Sequence, residues 1–164
     1  MWAAGIVAVM AILVTARSLK VVPANQAWVI ERLGRYHATL NAGVHVLLPL
    51  IDRIAFRFPL EPKEIELSET AITLDNVPVT ITSRVRSQII DAKRAAYAAA
   101  DRDAYLAAVI TNAQRHWISA RKESDVRQNT RELEAEVARA AADTMERAGV
   151  RLEDVSVLRI ERAG

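Results

Sequence analysis

The sequence predicts an α+β domain behind an apolar N-terminal helix, and three observations carry that expectation. From Gln26 to Ile89 apolar and polar residues alternate in short runs broken by turn residues. From Asp91 to Ala148 the apolar residues recur instead every three or four positions. Trp2 to Ala16 is an unbroken stretch without a charge. Alternation at period two marks half-buried strands, and the longer period marks amphipathic helices. Strands gathered in one half and helices in the other give α+β rather than alternating α/β.

The uncharged run comes first. At 1.5 Å per residue it makes about 22 Å of helix, short of a hydrocarbon core of roughly 30 Å. If Arg17 and Lys20 snorkel as basic juxtamembrane flanks, the helix extends to Val22 and reaches about 32 Å. The expected anchor residues are Trp2, Ile6, Val7, Val9, Met10, Ile12, Leu13 and Val14. The aliphatic ones among them contribute about 2 to 4 kcal/mol together on an insertion scale. A cleaved signal peptide ending at Ala16 and a buried core helix are the alternatives. No base precedes the run while Arg17 and Lys20 follow it, so a single-pass anchor would leave the domain in the cytoplasm. The expected organisation is residues 1–22 as anchor with its basic flank and residues 23–164 as one domain. A tether of about eight residues reaches at most about 28 Å, so the domain would lie against the membrane.

Along the domain, Ala27 and Val29 alternate with Gln26, Trp28 and Ile30, and the chain turns at Gly34 and at Asn41 to Gly43. The run Val44 to Ile51 is apolar with a proline at position 49, which predicts a buried strand ending or a kinked edge strand; a segment dipping into the membrane is the alternative, against which His45 and a length of eight residues argue. Short alternating strands follow at Ile54 to Leu60 and Lys63 to Glu69. The clearest strand places Val77, Val79, Ile81, Val85 and Ile89 on one face, after a turn at Leu74 to Asn76. In the helical half, Leu106, Val109 or Ile110, Ala113 and Trp117 fall at helical spacing with Asp103 as the expected N-cap. A second helix is expected from a capping box at Asn129 and Glu132, with Leu133, Val137, Ala141, Met145 and Ala148 on one stripe and Gly149 closing it. A last strand alternates at Val155, Val157 and Ile160.

Composition excludes several functions. With 22 Lys+Arg against 20 Asp+Glu, the formal charge is +2 and no basic footprint for nucleic acid is present. The local cluster Gln114 to Lys122 reads as a solvated helix face. Cysteine is absent, so disulfides, a thiolate nucleophile and palmitoylation are excluded. His37, His45 and His116 share no metal-ligand spacing. No phosphate-binding loop, dinucleotide fingerprint or nucleophile elbow occurs. Asp101 and Asp103 stand two apart and face different sides of a helix, so they make no acid/base pair. No enzyme, metal or cofactor is expected.

The order of the N-terminal run, "VVPANQAWVIERLGRY", "NAGVHVLLPLIDRI", "TLDNVPVTI", "RVRSQIIDAKRAAY" and "AGVRLEDVSVLRI" resembles the stomatin branch of the stomatin/prohibitin/flotillin superfamily, the SPFH or band-seven domain. Its specific pieces are Glu31, Arg32, Gly34 and Arg35; Gly43, Pro49, Asp52 and Arg53; and Thr73, Asp75 and Asn76. In that family these positions shape turns and strand ends and are not a catalytic set. The resemblance implies a domain with a curved, largely antiparallel sheet and two or three packed helices. It implies a membrane-anchored, self-associating scaffold that organises membrane microdomains and regulates neighbouring membrane proteins such as proteases or channels. Membrane lipids and further copies, or longer relatives, are the expected partners. A membrane-associated hydrolase, or an accessory subunit of a membrane protease, is the alternative. Relatives often carry Asp-Pro where this sequence has Asp91-Ala92, and continue into a long helix where it ends at Gly164. A weaker or smaller assembly is therefore expected, with Arg131, Glu134, Arg139 and Glu146 pairing between neighbours.

Overall fold

A computed structural model describes residues 18–99 and 101–163. The expected anchor from Trp2 to Val14, with Arg17, lies outside the described residues. Within them the chain is α+β, with antiparallel strands, four helices and two compact units meeting in sequence at Leu60 and Glu61. The single curved sheet expected from the sequence is replaced by three separate sheets.

The first unit holds β1 (Leu19–Val22), β2 (Gln26–Arg32), β3 (Arg35–Leu40), β4 (Gly43–Val46) and β5 (Asp52–Pro59). β1 pairs with β4, and β2 lies between β3 and β5. Leu19 to Val22, expected as the last turn of an apolar helix, are thus a strand whose backbone groups are satisfied across the ladder from Leu19↔Val46 to Val22↔Gly43. The pairing extends to Ser18, whose carbonyl accepts from Leu47 N–H at 2.8 Å. The β2–β3 hairpin turns at Leu33 and Gly34, both at positive φ (52° and 79°), the geometry a tight hairpin requires. As the central strand, β2 buries Ala27, Trp28, Val29 and Ile30 in succession, so its alternation in sequence does not appear as alternation in burial. Val22, Trp28, Ile30 and Leu47 form its core, with Leu40 and Ile54 packed against them. The Arg57 guanidinium lies 4.7 Å from the centre of the Trp28 ring.

The second unit is a sheet of β6 (Lys63–Ile72), β7 (Pro78–Ile89) and β8 (Val150–Arg162), with β7 central. Four helices connect β7 to β8: α1 (Ala92–Ala98), α2 (Arg102–Ser119), α3 (Glu123–Gln128) and α4 (Thr130–Arg147). Val79, Ile81 and Val85 of β7 pack against Leu106, Ile110 and Trp117 of α2 and Leu133, Val137, Ala141 and Met145 of α4. The other face of the sheet is polar, tied by Arg84 Nη2 to Glu66 (3.1 Å), Arg86 Nε to Glu153 (3.0 Å) and the Thr70 and Thr80 hydroxyls (3.0 Å). One polar contact lies inside the core: Gln114 Nε2 donates to Ser83 Oγ at 2.6 Å, and both residues are fully buried.

Caps differ from expectation in two places. The side chain accepting at the start of α2 is Asp101, from Ala104 N–H at 3.0 Å, while Asp103 sits in the first turn and pairs with Lys63. Asn129 does precede α4, but its amide donates to Asp125 O (3.0 Å) and Glu132 accepts from Arg121 (2.9 Å), so no capping box closes. The short helix α3 has too few residues for periodicity to reveal it. Gly149 ends α4 at φ 76°, and its carbonyl accepts from both Ile90 and Asp91 N–H.

Candidate functional site

Apart from Gly43, which pairs with Val22, the motif positions of the first unit gather at the end of the β2 hairpin. Arg32 and Asp52 face each other across the β2–β5 ladder and form a two-pronged ion pair, Nε to Oδ1 at 2.6 Å and Nη2 to Oδ2 at 3.0 Å. Asp52 Oδ2 also accepts from Leu48 N–H at 2.9 Å, holding the turn that carries Pro49. The Arg32 guanidinium, with the Leu48 N–H, draws the Asp52 carboxyl from 3.8 down to about 2. Beside it Glu31 faces Arg53 at 3.7 Å, and Arg35 is the partner of Arg32 across the hairpin. Gly34 sits in the turn itself, and Gly43 opens β4 at φ 137°. Lys20, Leu47, Pro49, Asp52, Arg53 and Ile54 line a shallow cleft of about 420 Å³ here.

Thr73, Asp75 and Asn76 occupy the β6–β7 turn in the second unit. The Thr73 hydroxyl donates to Asp75 Oδ1 (2.5 Å) and accepts from Val77 N–H (3.1 Å), while Asn76 takes φ 60°. Asp75 Oδ1 further accepts from Glu123 N–H at 3.1 Å, and Leu74 N–H donates to Arg121 O at 2.8 Å. The turn thereby ties the sheet to the α2–α3 junction. The Thr73 hydroxyl, the Glu123 N–H and the nearby Lys122 ammonium hold the Asp75 carboxyl below its ordinary range.

Glu123 is itself held low by Arg162 and Arg127, at 2.5 Å and 3.0 Å, and Asp103 by Lys63. Each displaced carboxylate thus has a basic or hydrogen-bonding partner and serves to join elements. Of the expected intersubunit contacts on α4, Glu134 is engaged within the chain, accepting from Val157 N–H at 2.7 Å, and Arg139 donates to Glu136. Among the described residues no group of three or more His, Asp or Glu could hold a metal ion.

The apolar run after Gly43 is largely exposed. Val44 to Ile51, expected as a buried strand ending or a kinked edge strand, keeps only Leu47 inside at 7% exposure. Val44 and Val46 are 67% and 70% exposed, and Leu50 is 92% exposed. Across the ladder stand Leu19 opposite Val46 and Val21 opposite Val44, also exposed. Val44, Val46, Leu48 and Leu50 share one phase while His45, Leu47 and Pro49 share the other, and periodicity alone does not say which phase is covered. Lys20, expected to flank a helix end, projects instead from the other face of β1. Among the described residues no helix is long and apolar enough to cross a membrane.

Comparison with known proteins places this arrangement. The SPFH domain / Band 7 family model matches residues 20–163. Human mitochondrial stomatin-like protein 2 is 40% identical over 81 residues, covering 49% of this chain and 23% of the relative. The stomatin-like protein stl-1 of Caenorhabditis elegans is 38% identical over 81 residues, covering 49% and 25%. An uncharacterised protein of Mycobacterium tuberculosis is 34% identical over 93 residues, covering 56% and 24%. The stretch matched spans about a quarter of the length of these relatives. The chain belongs to the SPFH domain / Band 7 family, in its stomatin-like branch.

Proposed function

We propose that this protein is a non-catalytic, self-associating scaffold at a membrane, with residues 2–16 as an anchor of about 22 Å that lacks the extension to Val22, since Leu19–Val22 form β1, and with the first unit held at the bilayer surface. The observation that carries the reading is the spacing between apolar run and fold. Among the described residues Ser18 already accepts from Leu47 N–H and β1 starts at Leu19, so only Arg17 and Ser18 stand between Ala16 and that strand. Two residues span at most about 7 Å, far too little for a tethered domain that diffuses freely. Family membership supports self-association, and a marginal anchor becomes secure when many copies act together.

The basic residues on the C-terminal side of the run favour a cytoplasmic domain. Regulation of neighbouring membrane proteins such as proteases or channels belongs to the same reading. Gentle detergent extraction followed by sizing is expected to give species well above a detergent-bound monomer of this 18.1 kDa chain. Monomer alone, both in detergent and after crosslinking in the native membrane, would overturn the scaffold. Protease added to intact cells should leave the folded units whole; their digestion would place them on the outer side.

A further inference from the structure

We infer that the groove between α2 and α4 in the second unit is a binding site for a small carboxylate on an apolar body, with a carboxylate oxygen accepting from the Trp117 indole N–H. The inference stands independently of the scaffold reading and of the anchor.

Ala113, Trp117 and Ala120 are spaced four and three residues apart, which brings them to one side of α2 and its C-cap. Glu136 and Ala140, four apart, do the same on α4. Together with His116 and Arg121 they line a cleft of about 260 Å³. Three of the lining side chains are single methyl groups, so the helices leave a hollow that larger residues would fill. Trp117 is only 5% exposed, whereas Ala120 and Ala140 are exposed, which puts the indole at the bottom of the hollow and the alanines at its rim.

A buried tryptophan N–H ordinarily finds an acceptor. Trp28 does so, donating to Gln26 Oε1 at 2.9 Å. Trp117 does not: among the described residues its Nε1 is the buried side-chain polar atom without a hydrogen-bond partner. An unmet buried donor costs stability, and a ligand that supplies an acceptor recovers that cost on binding.

The neighbouring charges select a carboxylate. The Arg121 guanidinium lies over the Trp117 ring, 3.9 Å from its centre, held by Trp117 O at 3.2 Å and Glu132 Oε1 at 2.9 Å. Its side chain is 31% exposed, so it is open to an entering anion. Glu136, the acid among the lining residues, is already paired with Arg139 at 2.8 Å. An indole N–H beside a guanidinium favours an ionised acceptor over a neutral one. The alanine methyls and the indole require the rest of the ligand to be apolar. The volume falls below the range of drug-sized sites, roughly 300–1,000 Å³, so the ligand is small.

The test reads the orphan donor itself. The full chain with isotope-labelled tryptophan, in detergent micelles, gives separate indole N–H signals in nuclear magnetic resonance for Trp2, Trp28 and Trp117, the last identified by its loss in Trp117→Phe. The probe is phenylpropionate. The expected result is a saturable downfield movement of the Trp117 signal while Trp28, already hydrogen-bonded, stays in place. Ala140→Leu, at an exposed position, fills the hollow and should abolish the movement while the signals keep their dispersion. Arg121→Gln should weaken binding about tenfold, and phenylpropionamide, which keeps an acceptor oxygen but no charge, should bind about tenfold less tightly than the acid. No saturable movement of the Trp117 signal, equal movement of Trp28, or unchanged binding in Ala140→Leu would overturn the site. Equal affinity for acid and amide would overturn its assignment to a carboxylate.

Discussion

Arg32 and Asp52, twenty residues apart in sequence, meet side by side in the β2–β5 ladder and close a bidentate ion pair whose carboxylate is only 2% exposed. The depressed Asp52 pKa gives this pair a defined pH dependence. A carboxylate lowered on folding contributes stability that is fully present above its unfolded value, here 3.8, and is lost as the pH falls toward about 2. Asp52→Ala should remove that acid-sensitive component and lower stability at neutral pH by about 1 to 2 kcal/mol, discounted because Arg32 is itself a third exposed. Urea unfolding of both proteins between pH 7 and pH 2 checks it: the difference between them should shrink through the acid range, and a constant difference would contradict the assignment.

Two glycines at almost the same φ should respond very differently to alanine. Gly34 and Gly149 stand at 79° and 76°, but a Cβ at Gly34 meets nothing within 4 Å whereas one at Gly149 would lie 2.4 Å from Asp91 O. Gly34→Ala therefore incurs only the left-handed backbone term, about 1 kcal/mol. Gly149→Ala must also push apart the backbone that joins α4 and β8 to the end of β7, so a loss of more than about 3 kcal/mol, or failure to accumulate, is expected. Comparable unfolding midpoints for the two variants would show that the close approach at Gly149 relaxes easily.

The buried Ser83 to Gln114 contact offers a test of how a polar pair is tolerated in an apolar core. Ser83→Ala leaves the Gln114 amide without its partner and should destabilise by about 1 to 3 kcal/mol. Replacing both, with Ser83→Ala and Gln114→Met, removes the unmet donor and should recover most of that loss. A double variant no more stable than Ser83→Ala alone would mean that the pair contributes through packing rather than hydrogen bonding.

What the sequence reveals depends on how many faces of an element are covered. β7 is legible because helices cover one face and solvent the other, so Val79, Ile81, Val85 and Ile89 alternate in burial as they do in sequence. β2 is buried on both faces and its alternation misleads. Val44 to Leu50 misleads in the opposite sense, because an aliphatic face directed outward has the same pattern as one directed to a core. Gln114 reads as part of a solvated face because its neighbours are polar, and its partner Ser83 lies 31 residues away, beyond any local pattern. The motif residues were legible as a set, yet only the fold shows that Arg32 and Asp52 pair with each other while Asp75 reaches 48 residues forward to Glu123.

That last reach supports a prediction about cooperativity within the second unit. Asp75 accepts from the Thr73 hydroxyl inside its own turn and from the Glu123 amide at the start of α3, so one carboxylate fixes the turn and the following helix together. Glu123 in turn holds Arg127 of α3 and Arg162 at the end of β8, which extends the connection from the β6–β7 turn to the last strand. Asp75→Ala should therefore accelerate hydrogen exchange at the Glu123 amide and through α3, while amides in the centre of β7, protected by strands on both sides, keep their rates. Asp75→Asn retains an acceptor oxygen for both donors and should show a smaller effect. The lowered Asp75 and Glu123 pKa values set the direction with pH: both contributions are present above the ordinary carboxylate range and decline as acid protonates them, so α3 should lose protection before the sheet does. Exchange that rises equally in α3 and β7 would show that the turn stabilises the unit as a whole, and would remove the Asp75 to Glu123 link as a separable element.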